Sequence, residues 1–131
     1  CHTQLIRHRL TSPTAESQRY VDQYENAVVI PDTVKAIPEA LAIFNNTVLA
    51  SKNAYRDLRV LGIPKEDARY LLPEGNTTKQ YLSLNLRELL HLDKVRDTPH
   101  AQWEIRAVVV EMKKLVMEVH PEIAFMFGVM I

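Results

Sequence analysis

The chain is poor in three things that often settle a protein's class: cysteine, net charge and long apolar runs. Its one cysteine is Cys1, which excludes an intrachain disulfide and a cysteine-built metal site. Lys plus Arg number 16 and so do Asp plus Glu. Zero net charge removes the bulk-electrostatic case for binding nucleic acid or a membrane surface, while leaving room for a local basic site. No apolar run reaches the roughly 18 residues of a membrane span. Arg7, His8 and Arg9 interrupt the only short apolar stretch near the start, unlike a signal peptide. No internal repeat or low-complexity segment is found. A reducing, cytoplasmic setting is the expectation.

What is present is globular composition, with 47% apolar and 24% charged residues in 131. That length suits one domain, residues 1–131, able to bury a core. The first residue is Cys1 and not Met, so the expectation is that this is part of a longer chain.

Residues 2–8 read as a short extended segment, 10–18 as a loop, and 26–31 as a short strand ended by Pro31. Apolar residues at Val34, Ile37, Leu41, Phe44, Val48, Tyr55 and Leu58 then recur at helical spacing. This predicts one long helix, capped by Asp32 or Thr33, with Pro38 in its first turns and Gly62 at its end. Pro64 to Asp67 reads as the first turn of a short helix, and 77–84 as β-prone. Asn85 caps another short helix, followed by a polar stretch over 94–99. Thr98 as cap and Pro99 at the first position then begin the second long helix, with Ala101, Ile105, Val108, Met112, Leu115 and Val119 as its stripe. Pro121 stops it. The expected fold class is α/β (α+β): helix-rich, a small sheet with two long amphipathic helices. The apolar tail 123–131 and the surplus of apolar stripe predict an oligomer.

Two constellations carry chemistry. Arg7, His8 and Arg9 stand near Ser12, Ser17 and Arg19, and residues 1–20 hold three arginines against one acid, Glu16. Guanidinium groups bind phosphate through paired hydrogen bonds and hydroxyls fill the remaining positions, so this set suits a phosphorylated small molecule. On an extended strand Arg7 and Arg9 would share one face and His8 the other. The same residues also read as a solvated strand with ordinary surface arginines. The second constellation, Asn85, Arg87, His91, Arg96, His100 and Gln102, surrounds two expected helix starts, where anions settle; it reads equally as a capped helix pair. The histidines and Cys1 form no CxxC pair and no His-x-x-x-His pair, so no metal site is expected.

Arg7-His8-Arg9, seven residues, then Ser17, Arg19 and Tyr20 resembles the signature of the flavin-dependent thymidylate synthases. So do the segment 62–73 (GIPKEDARYLLP), Asn85-Leu86-Arg87, and the run from Pro99 to Glu104, in the same order. The resemblance covers about His2 to His120. It implies conversion of dUMP to dTMP, with FAD, NADPH as reductant and methylenetetrahydrofolate as carbon donor, in a homotetramer with active sites at subunit interfaces. It implies that Arg7, His8 and Arg9 line the flavin and nucleotide site. Gln4, Ser17, Arg19 and Arg69 would hold the dUMP phosphate and sugar, with Ser17 also a catalytic candidate. Arg96 would stabilise charge on the uracil ring. Asn85, Arg87, His91 and His100 would contact FAD. Having no internal cysteine suits the flavin route, since the unrelated classical synthases use a cysteine nucleophile.

The sequence departs from the family's pattern at Thr14, where Asn is common, and at Ala15, where many members carry an acid. The family's further stretch ahead of the Arg-His-Arg segment is the reason to read this chain as a C-terminal majority. Two rivals remain. A phosphate-transfer enzyme of the histidine phosphatase type would need glycine where Arg9 stands, for close backbone approach to phosphate. A non-catalytic helical interaction module would be colourless where a flavoprotein is yellow.

Overall fold

The computed structural model describes residues 1–128. Its elements in chain order are α1 (His2–Leu5), β1 (Thr11–Ala15), α2 (Asp32–Lys35), α3 (Pro38–Val60), α4 (Lys65–Ala68), β2 (Gln80–Leu84), α5 (Leu86–Arg96) and α6 (Trp103–Val119), with 3-10 turns at Arg69–Leu71 and Pro121–Phe127. β1 and β2 form a two-stranded antiparallel sheet. The fold is α+β and helix-rich, as the periodicity indicates. No helix among the described residues is long and apolar enough to cross a membrane.

Several expected boundaries move, each for a local reason. Residues 2–5 are helical and not extended, with Leu5 N–H donating to Cys1 O at 3.1 Å. Over so few residues the apolar pattern does not separate helix from strand, and burial of Leu5 decides. The expected strand at 26–31 is reduced to a single bridge between Val28 and Asn76. The first long helix is two helices. Proline pushes the residue before it out of the helical region, so Ile37 is extended and Pro38 opens α3. The far end is as expected. Gly62 takes a positive φ of 86°, and Ile63 N–H reaches Leu58 O while Gly62 N–H reaches Arg59 O, both at 3.1 Å. That is a Schellman ending, where glycine avoids a Cβ clash.

α5 runs on to Arg96, so residues expected in a polar loop form its last turn; Lys94 and Arg96 there suit the helix dipole. Asn85 caps it as expected, its side chain accepting from Glu88 N–H at 2.9 Å. α6 begins at Trp103 and not at Pro99. Gln102 is the cap, its side-chain oxygen accepting from Glu104 and Ile105 N–H at 3.1 Å each. The Thr98-Pro99 signal instead closes a turn, with Ala101 N–H on Thr98 O.

Two compact units result, Cys1–Thr14 with Tyr81–Ile131, and Ala15–Gln80. The first has an aliphatic core of Leu5, Leu92, Ile105 and Val109, joined at its edge by Leu82, Leu84 and Val108. Lys113 on α6 ties both Asp93 and Asp97 at 2.7 Å, and Arg106 adds a bond to Asp97 at 3.1 Å. The bonds from Lys113 and then Arg106 hold the Asp97 carboxyl below its ordinary value. Burial pushes the Lys113 ammonium down, but its bonds to the two aspartates outweigh this and leave it raised.

The second unit packs α3 against α2, α4 and the Arg69–Leu71 turn. Its fully buried residues are Tyr55, Ala68 and Gln23. The Gln23 amide gathers the surrounding loops. It donates to Glu16 Oε1 and Val21 O at 3.2 Å each, and accepts from Asn26 at 2.9 Å and Asn76 at 3.2 Å. Lys52 donates to the carbonyls of Tyr24 and Asn26.

The expected stripe of α6 is buried at Ile105 and exposed towards its end, at Leu115 (52%) and Val119 (73%). Of the apolar tail 123–131, Ala124 is buried while Phe125 and Met126 are exposed; residues 129–131 lie outside the described residues.

Candidate functional site

The turn after α1 and the inner face of α5 meet around a cavity of about 610 Å³. Arg7, His8, Arg9, Arg87, His91 and Arg96, all candidates from sequence, line it together with Glu88. His8 therefore does not point away from Arg7 and Arg9. The strand that would have alternated them starts only at Thr11, and in a turn all three can face one space. His8 is buried, whereas Arg7 and Arg9 are exposed.

The spacing on α5 explains most of its share. Arg87, Glu88, His91 and Val95 fall on the face that looks into the cavity, while Leu89 and Leu92 fall on the core face. Arg96 projects from the side of Leu89 and Leu92 and reaches the cavity from the last turn. Four guanidinium groups and one carboxylate then share the cavity wall. Among the described residues the side chains of Arg7, Arg9 and Arg87 make no hydrogen bond or ion pair. Unspent guanidinium forks that converge on one cavity are anion receptors, and phosphate is the group they match best.

Inside the cavity one chain of contacts is ordered. His8 Nδ1 lies 3.1 Å from Glu88 Oε1, and Arg96 Nε donates to His8 Nε2 at 3.2 Å. His8 and Glu88 are 7% and 4% exposed. The His91 ring meets His8 edge-on, with centroids 5.7 Å apart. His8, Glu88 and His91 also have the spacing of metal ligands. Four guanidiniums around a single carboxylate repel a cation, and both His8 nitrogens already have partners.

Glu88 is the residue that sequence reasoning missed. Three positions after the Asn85 cap, it has the sequence signal of a capping box, in which its side chain would turn back to the helix start. Its N–H does bond the Asn85 side chain, but its carboxylate goes to His8, 80 residues away in sequence.

The other candidates lie elsewhere. Gln4 sits in α1, its buried Oε1 without a hydrogen-bond partner among the described residues. Asn85 borders a separate apolar cavity of about 370 Å³ formed with Leu86, Leu89 and Met112. His100, expected in the first turn of the long helix, is exposed in the turn before it. Ser17, Arg19 and Arg69 belong to the second unit. Ser17 Oγ accepts from Arg19 N–H at 3.3 Å. Arg19 pairs with Glu66 at 2.7 Å, and Arg69 Nε donates to Glu66 O at 3.0 Å. The bond to Glu66 raises the Arg19 guanidinium further above its already high value.

Residues 1–122 match the family model described as thymidylate synthase complementing protein. A flavin-dependent thymidylate synthase of Geobacter sulfurreducens is 43% identical over 122 residues, covering 92% of this chain and 53% of the relative. Relatives of the same name from Thermococcus kodakarensis and Saccharolobus solfataricus are 41% identical over 116 residues and 37% over 126. They cover 86% and 92% of this chain, and 47% and 46% of the relative. The chain thus spans about half the length of the curated relatives it matches.

Proposed function

The chain belongs to the thymidylate synthase complementing protein family, and we propose that it serves a flavin-dependent thymidylate synthase, converting dUMP to dTMP with methylenetetrahydrofolate as carbon donor and NADPH as reductant. The observation that carries the reading is the cavity wall of Arg7, Arg9, Arg87 and Arg96, three of them unspent. Its charge and its paired N–H donors suit a diphosphate such as that of FAD. When bound, FAD supplies the hydride chemistry that side chains cannot.

The chain's own residues have binding and electrostatic roles. Arg7, His8, Arg9, Arg87 and His91 hold the flavin at this cavity, and Asn85 and His100, outside it in this subunit, contact flavin at a subunit interface. Gln4, Ser17, Arg19 and Arg69 hold dUMP, with Ser17 also a catalytic candidate. Arg96 stabilises negative charge on the pyrimidine as the methylene group is transferred, a contact worth more in the transition state than in the bound substrate.

We further propose a homotetramer in the cytoplasm. Exposed Ile43, Leu49, Val60, Leu115, Val119 and Phe125 support association, being apolar area that a subunit contact would cover.

The test is Arg96→Lys in the complete enzyme. The charge stays and the planar fork is lost. Flavin content and reduction by NADPH are expected to persist, while dTMP formation falls about a hundredfold, as for loss of one oxyanion-type donor. Near-parental dTMP formation removes Arg96 from the chemistry. A complete enzyme that takes up no flavin, with or without dUMP, refutes the reading as a whole.

A further inference from the structure

The contacts of His8 determine where its proton sits. Arginine has N–H donors and no acceptor, so the 3.2 Å bond from Arg96 Nε requires a lone pair on His8 Nε2. A neutral imidazole with its lone pair there carries its proton on Nδ1. Nδ1 lies 3.1 Å from Glu88 Oε1, and an ionised carboxylate only accepts. Every donor then meets an acceptor along Arg96, His8 and Glu88. The opposite tautomer would set a lone pair against a carboxylate and an N–H against a guanidinium. A doubly protonated ring would still set two donors head to head at Nε2. Burial of both His8 and Glu88 makes either mismatch expensive.

We propose that Glu88 is a positioning residue of this site: it holds the His8 proton on Nδ1, so that Nε2 accepts from Arg96 and fixes the guanidinium at the cavity wall. Among the described residues Arg96 makes no other hydrogen bond or ion pair. Its terminal nitrogens are left for a ligand, and their direction depends on the one bond at Nε. Without Glu88 the imidazole is free to exchange tautomers, and in one of them Arg96 loses its acceptor. Arg96 sits in the last turn of α5 and Glu88 in the first, with His8 as the strut between them. The consequence for catalysis rests on the function proposed above; the tautomer does not.

Nitrogen-15 NMR of the histidine side chains tests both parts. In the parent protein without ligands, His8 is expected to show a protonated Nδ1 and an unprotonated Nε2. Glu88→Gln keeps this pattern, because the amide oxygen accepts in place of the carboxylate. Glu88→Ala gives mixed tautomers. In the complete enzyme, kcat for dTMP formation falls about tenfold to a hundredfold in Glu88→Ala, the rate equivalent of losing one charge-assisted hydrogen bond. Most of it returns in Glu88→Gln, and flavin content is kept.

A parental His8 protonated on Nε2 overturns the proposal. So does a Glu88→Ala protein with the parental tautomer, or one with mixed tautomers and a parental kcat. Should Glu88→Ala fail to fold, the parental spectrum and the isosteric Gln variant still decide. The expected tautomers in an enzyme that makes no dTMP would refute the functional reading and leave the tautomer assignment standing.

Discussion

The two units bury different things. In the first, four aliphatic side chains make the core, and the main polar contacts gather at the cavity and the Lys113 bridge. In the second, the centre is an amide: Gln23 is fully buried and ties residues 16, 21, 26 and 76 to one another. An aliphatic core is non-directional and tolerates small shifts in its lining, whereas a buried amide demands partners in fixed places. The loops of the second unit are therefore held by direction, and α5 and α6 of the first by burial. The site follows this division: Arg87 and Arg96 stand on α5, which Leu89 and Leu92 anchor, and Arg7 and Arg9 lie in the turn after buried Leu5. Three of the four guanidiniums make no hydrogen bond or ion pair among the described residues.

The comparison is broken most severely at Leu92, which is fully buried. Leu92→Ala is expected to cost about 2–5 kcal/mol, the loss of transfer energy plus the cavity left behind. Hydrogen exchange should lose protection in α5 and α6 first; an equal loss around Tyr55 would mean that the units do not respond separately.

Gln23→Leu is the matching change in the second unit. It keeps volume but strands Asn76 and Glu16, at about 1–3 kcal/mol. Denaturant unfolding should show a lower midpoint, with lost protection confined to residues 15–80. Parental stability would mean that the amide network is dispensable.

Lys113→Met sharpens the polar side of the first unit and should cost about 1 kcal/mol at neutral pH, since the bridge is partly exposed. Its pH signature is the stronger readout. The folded Asp97 carboxyl lies below its ordinary value of 3.8. Its contribution is therefore fully present above that value and is lost as pH falls through the lower folded one. The variant should lose part of this acid sensitivity, measured as the slope of stability against pH below about 4. An unchanged slope would place the acid response elsewhere.

The smallest effect on stability is expected at Arg19, on an exposed pair with Glu66. Arg19→Ala should leave thermal unfolding unchanged, yet weaken dUMP binding tenfold to a hundredfold while sparing flavin. Equal weakening of both ligands in the complete enzyme would point to misfolding and remove Arg19 from the phosphate site.

Much of the fold was readable from spacing. The stripe through Leu41, Phe44, Val48 and Tyr55 does face inward on α3, and Gly62 and Asn85 end and begin helices as their chemistry requires. The boundaries that moved share one cause, competition between local signals. Pro38 served as well for a start as for an early turn, and Gln102 displaced the better cap at Thr98 once Ile105 and Val109 had to reach the core. Six of the candidate residues meet in one cavity, and their residue types and order were already visible in the chain. Asn85 and His100 stand outside that cavity, since order along the chain carries no distance, and Ser17, Arg19 and Arg69 belong to the second unit.

By itself the sequence determined which chemistry is available: arginines with hydroxyls and histidines, one terminal thiol, and a family signature in which residue types follow each other at set separations. Those properties are local, and local spacing survives any packing. Only the tertiary structure decided that Glu88 faces His8 instead of closing a capping box, and that Arg96 rests on the same imidazole. A carboxylate 80 residues away exerts no pull on a histidine in the unfolded chain. It does so only after burial removes water and leaves each imidazole nitrogen one partner.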